Sequence, residues 1–174
     1  LFNLEPEKEI QLDFKTATEL NAQIAEFSIT KVIDNSSKET IANPKTALLS
    51  LYKSVENDFS KTIQAETNCK SFAIESVNDF DFASLEKELE AFDQLTIALF
   101  VPKAKPLNRF EIDEAIFGLL EKLLVTKKCQ IYVFGNPYAL PLIPNLSKAL
   151  KVIEVYQDFK EFQINAAQQF LSNF

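Results

Sequence analysis

At 174 residues the chain is long enough for one domain with a real core, and a hydrophobic fraction of 47% calls for a packed globule rather than a disordered segment. Its 25 acidic side chains outnumber the 18 basic ones, and the net charge of −7 speaks against a nucleic-acid partner, because an acidic surface repels phosphate backbones. The chain has no histidine, which excludes Ser-His-Asp and Cys-His nucleophile constellations, and its apolar runs fall far short of the roughly 20 residues that span a bilayer.

No basic-then-apolar signal peptide is visible, and the absence of an initiator Met is what a processed chain or one cut from a longer one would show. Cys69 and Cys129 both fall at or beside expected strand starts, where burial is the plain reading. Two cysteines leave a disulfide open without making a disulfide scaffold, and they do not settle the redox compartment. With no His they also fall short of a structural zinc set, so neither metal nor cofactor is expected.

In chain order, residues 1–15 read as an extended leader or linker containing Pro6, and 16–174 as one α/β domain. A first helix is predicted from Thr16, where Thr16 and Glu19 fit a capping box. Ala17, Leu20, Ile24 and Phe27 form one apolar face, and the helix should end near Ile33. Asp34–Lys38 and Asn43-Pro44 are turn-rich. The pattern then alternates. Strands are predicted at Thr46–Tyr52, Ser71–Glu75, Leu95–Val101, Cys129–Phe134 and Lys151–Tyr156. Helices are predicted at Val55–Ala65, Phe82–Phe92, Phe110–Leu124 and Phe159–Leu171. Phe100, Phe134, Phe159, Phe162 and Phe170 fit core positions, and others among the 16 Phe could line an apolar patch where another domain docks.

Strands alternating with helices argue for an α/β fold, a three-layer sandwich whose mainly parallel sheet has about five or six strands in flavodoxin- or Rossmann-like winding. Nearly all-apolar strands such as Thr96–Val101 fit a sheet covered on both faces. The short second strand keeps a mixed α+β sheet as the alternative.

The candidate site is the turn closing the Cys129–Phe134 strand, because ligands of open parallel sheets bind at the strands' C-terminal edge. Asn136 and Tyr138 could point polar groups into a cleft or a domain interface. The structural reading is that Gly135 supplies an unusual backbone angle, Pro137 fixes the turn and Asn136 bonds local backbone. Acidic clusters have plain explanations. Glu86–Glu90 lies on a solvated helix face, Glu111, Asp113 and Glu114 suit a helix N-terminus, and Asp79 and Asp81 fit capping. Lys127-Lys128 reads as a solvated turn. With only Gly118 and Gly135, no Gly-rich phosphate loop is possible. No catalytic residue stands out, although Tyr138 or Cys129 could serve a small enzyme with an unfamiliar site.

Three segments resemble the C-terminal α/β sandwich domain of family 3 glycoside hydrolases, especially the bacterial β-N-acetylhexosaminidase branch. In Leu20–Asn35, residues Ala25, Ser28, Ile29, Thr30, Val32 and Asn35 match the run that leads out of that family's barrel. Ile131–Leu140 is similar to its hydrophobic strand followed by Phe-Gly-Asn-Pro-Tyr. Val155–Phe170, with Tyr156, Gln163, Ala166, Ala167 and Gln168, is similar to its closing helix. The resemblance covers roughly 16–172.

It implies a parent that hydrolyses β-linked N-acetylhexosaminides or β-glucosides, a catalytic (β/α)8 barrel as the main partner, carbohydrate as a further one, and an exported bacterial setting. The chain itself would be non-catalytic, packing on the barrel and shaping its cleft. In some members this domain donates the acid/base carboxylate; in the N-acetylhexosaminidase branch a barrel loop carries an Asp-His pair, and this sequence favours the second case. The barrel's nucleophilic Asp and its Lys-His motif are absent here, and Tyr52-Lys53-Ser54 replaces the usual Gly after the domain's first strand. The alternative is a stand-alone carbohydrate- or protein-binding module of the same fold.

Overall fold

The computed structural model describes residues 14–36 and 44–172. Its strands are β1 (Thr30–Asp34), β2 (Thr46–Leu51), β3 (Lys70–Ile74), β4 (Gln94–Phe100), β5 (Lys128–Phe134) and β6 (Lys151–Glu154). They form one sheet in the order β1-β6-β5-β4-β2-β3. Strands β2 to β6 are parallel, and β1 lies antiparallel along β6. The helices are α1 (Phe14–Ser28), α2 (Asp58–Glu66), α3 (Phe82–Leu89), α4 (Glu114–Thr126) and α5 (Lys160–Leu171). Helices α1, α2 and α5 cover one face of the sheet, α3 and α4 the other. The fold is the expected three-layer α/β sandwich.

Successive strand residues point to opposite faces, so a sheet covered twice needs apolar residues at both parities. In β4, Leu95, Ile97 and Leu99 pack towards α3 and α4, while Ala98 and Phe100 pack towards α2 and α5. On the α2 side Phe59 lies 4.9 Å from the Tyr132 ring and 5.4 Å from that of Phe134, which stacks on Phe100 at 4.5 Å. Ile116, Leu119, Leu120 and Leu123 of α4 are buried as their spacing implies.

Four sequence expectations need correction. The first helix ends at Ser28, and Thr30–Asp34 is strand β1. Ile29, Thr30, Val32 and Ile33 are β-branched, which suits a pleated edge better than a helix. That helix starts at Phe14, so Thr16 and Glu19 lie inside it. Second, Phe110 is not helical. It belongs to the turn Leu107–Glu111, where Asn108, Arg109, Phe110 and Glu111 all have positive φ. Burial of the Phe110 ring holds this turn against the α3–α4 layer, and apolar spacing cannot tell such a turn from a first helical turn. Glu111 therefore lies outside α4. Third, Phe159 is half exposed, because it precedes α5 rather than sitting on its inner face. Fourth, Cys69 is only partly buried, whereas Cys129 is fully so; both are free thiols. The turn residues Ser37 and Lys38 and Asn43 lie outside the described residues.

Of the two aspartates expected to cap, Asp79, with φ 58°, is not the N-cap of α3, whereas Asp81 is. Asp81 Oδ1 accepts from the Ser84 N–H, and Asn57 Oδ1 accepts from the Ser60 N–H at 2.8 Å. Lys127 does more than sit in a solvated turn: its Nζ donates to the Glu90 and Phe92 carbonyls just beyond α3.

Candidate functional site

Strands β2 and β4 are neighbours, yet the chain leaves β2 towards β3 and leaves β4 towards β5. This reversal is the place where a doubly wound sheet ordinarily opens a ligand crevice. Tyr52 follows β2 at this reversal and is partly buried. The residue adopts φ 68°, the left-handed conformation a glycine would take more cheaply, and its ring touches the cores on both sides of the sheet. Its hydroxyl accepts from the Asp113 N–H at 2.7 Å and donates to Asp113 Oδ2 at 3.1 Å. Burial, with the Asp113 carboxylate beside it, holds the Tyr52 phenol well above its ordinary pKa.

An open cleft lies one step along, at the C-terminal ends of β4, β5 and β6. It encloses about 510 Å³ and is lined by 101–104, 134–138 and 156–158. All of Gly135, Asn136, Pro137 and Tyr138 border it. Gly135 has φ 131°, and a Cβ there would come within 2.9 Å of Val101 Cβ, so only glycine fits. Pro137 opens a 3-10 turn, Pro137–Leu142. Asn136 is committed to structure: its Oδ1 accepts from the Tyr138 N–H at 3.0 Å and its Nδ2 donates to the Ala104 carbonyl at 2.8 Å. It clamps the loop after β4 to the turn after β5. Tyr138 is 76% exposed and turns its ring to solvent.

Lys103, Tyr156 and Asp158 share the cleft; none is among the site residues expected from sequence, where Tyr156 enters only through the resemblance of the closing helix. The strand-end rule that located Gly135 finds them too when it is applied to β4 and β6, where Pro102 marks the first of those ends. Asp158 is the one carboxylate among the described lining residues, and it pairs with Lys53 at 2.9 Å. Glycosidases work with two carboxyl groups about 5 to 9.5 Å apart, so the cleft by itself does not present that pair. Cys129 faces Leu123 O at 3.6 Å inside the core, and burial pushes its thiol up to about 12. A neutral, enclosed thiol does not act as a nucleophile.

The acidic clusters are occupied locally. Glu86 pairs with Lys122, Glu88 with Lys70, Glu114 with Arg109 and Glu111 with Lys103. Among the described residues no group of three or more His, Cys, Asp or Glu side chains is placed to hold a metal. No described helix is long and apolar enough to cross a membrane.

No family model matches the sequence, and no curated protein does. Solved structures do match. A glycoside hydrolase family 3 β-N-acetylglucosaminidase from Paenibacillus sp. str. FPU-7 superposes with TM-score 0.64 at 14% identity, over 100% of this chain and 33% of its own. The fold is shared with family 3 glycoside hydrolases. The β-glucoside phosphorylase BglX aligns with TM-score 0.66 at 16% identity, over 91% of this chain and 30% of its own. A β-glucosidase from Listeria innocua aligns with TM-score 0.63 at 14% identity, over 100% and 27%. The chain thus spans a third or less of each enzyme and corresponds in fold to one portion of a larger protein.

Proposed function

We propose that this chain is the non-catalytic C-terminal domain of a family 3 glycoside hydrolase-like protein, whose whole acts on β-linked N-acetylhexosaminides or β-glucosides. The domain packs on a catalytic (β/α)8 barrel and forms one wall of its cleft, with Tyr138 directed outward from the wall and Asn136 holding it together. The observation that carries this reading is the fit of the entire chain onto 33% of the Paenibacillus enzyme. The solvent-facing Tyr138 at the sheet's C-terminal edge supports it. The test uses 4-nitrophenyl N-acetyl-β-D-glucosaminide and 4-nitrophenyl β-D-glucoside. The 174-residue chain is expected to release no nitrophenol above buffer, while the native polypeptide that contains it hydrolyses one of the two. Turnover that follows the short chain through purification overturns the reading.

One feature favours a second reading, a carbohydrate-binding module: Tyr138 and Tyr156 border the same cleft, and aromatic faces suit sugar rings. In that case N-acetylglucosamine or glucose gives a saturable tyrosine-fluorescence change on the chain alone, and Tyr138→Ala abolishes it.

A further inference from the structure

Helix α1 carries Ala17, Leu20, Ile24 and Phe27 at 3-4-3 spacing, one stripe along its length. The stripe is not what α1 buries. Ala25 is the side chain it sinks into the layer with α5, whereas Leu20 is 53%, Ile24 46% and Phe27 85% exposed. With Gln23 and Ser28 they line a shallow hollow. The positions beside the stripe, Asn21, Gln23 and Ser28, are uncharged. Scattered apolar residues on a surface are normal; these share one line with uncharged positions beside them, an arrangement that suits contact with a small apolar surface.

Area decides what kind of contact. About ten residues at 1.5 Å each make a stripe ~15 Å long, which at one helix width is on the order of 200 Å². Independent partners bury about 800 Å² each, so a second copy held by the stripe alone binds too weakly to persist. A tethered partner needs far less area, because linkage raises its effective concentration to the millimolar range. Position agrees. Thr30, just past α1, pairs with Glu154 at the C-terminal end of β6, and Tyr156 Oη lies 3.4 Å from Thr30 Oγ1. The stripe therefore ends, at Phe27, on the same sheet edge as the cleft.

We propose that the Leu20–Ile24–Phe27 stripe is an intramolecular docking surface, covered by an apolar face of another domain of the same polypeptide. This rests on the reading that the chain belongs to a longer protein. The test replaces Phe27 with Cys, and separately Ile24, and compares maleimide labelling with that of Gln64→Cys on the exposed side of α2, each read by peptide mass so that Cys69 does not interfere. In the native longer polypeptide, Phe27→Cys and Ile24→Cys are expected to label at least tenfold more slowly than Gln64→Cys. In the 174-residue chain all three should label alike. Equal rates in the longer polypeptide overturn the proposal while leaving its parent reading intact. Protection already present in the 174-residue chain also overturns it: protection lost on dilution assigns the stripe to a second copy, and protection kept on dilution assigns it to the chain's own residues. A native polypeptide no longer than this chain removes the parent reading itself, which the intact mass shows before any labelling.

Discussion

Glu154 is 1% exposed at the end of β6, where its Oε1 accepts from the Tyr156 N–H at 2.9 Å and its Oε2 is buried without a partner among the described residues. Burial disfavours the charged form and raises the carboxyl from 4.5 to about 7, against the lowering effect of the Tyr156 and Val155 amides. A carboxyl raised on folding stabilises the fold fully below its unfolded value and loses that contribution as pH rises through the folded one. The loss therefore runs from about pH 4.5 to just above 7 and amounts to about 3 kcal/mol at 1.36 kcal/mol per unit. Glu154→Gln keeps an acceptor for the Tyr156 N–H and cannot ionise. Urea unfolding at pH 4.5 and pH 8 is expected to show the variant gaining on the parent by that amount. A constant difference between the two proteins across this range would show that Glu154 does not carry the titration.

Among the elements, the end of β2 is tied to the start of α4 by one phenol besides their shared apolar core. Tyr52 Oη receives the Asp113 N–H at the first turn of α4 and returns a hydrogen bond to the Asp113 carboxylate. Tyr52→Phe keeps the ring over both cores but strands these groups, at a cost of about 1–3 kcal/mol. Denaturant unfolding at neutral pH should show that loss with an unchanged m value. The same region shows where sequence reading stops. The resemblance sets Tyr52-Lys53-Ser54 where a Gly is usual, and that made the loss of a bare backbone turn legible. That the backbone would nevertheless go left-handed and bring the hydroxyl to Asp113 was not, because that partner lies 61 residues away. At the candidate site the turn Gly135–Tyr138 was legible because Gly and Pro carry local backbone rules. Asn136's second bond, to Ala104, was not legible, since it joins two different loops.

At the scale of the whole molecule, the two cores share one sheet, so they are expected to melt together. Leu120 is fully buried on the α4 side, while Tyr132 packs with Phe59 and Phe170 on the other. Leu120→Ala is expected to cost about 2–5 kcal/mol. Tyrosine fluorescence and far-UV circular dichroism should shift together in that variant. Separate transitions would mean that the layers unfold independently.

The amino-acid sequence by itself determined the alternation of strands and helices and the apolar character of both sheet faces. Periods of two and of 3.6 are local properties, carried by runs such as Gln94–Phe100 and Glu114–Thr126. It also located the Gly135 turn. Only the tertiary structure decided that β4 lies between β2 and β5, that Thr30–Asp34 joins the sheet edge, and that Tyr52 bonds Asp113. It alone separated the apolar residues that are covered, such as Phe162, from those left facing water, such as Phe27 and Phe159. Hydrophobicity records that a side chain favours burial; whether a partner surface reaches it depends on contacts between residues far apart in the chain.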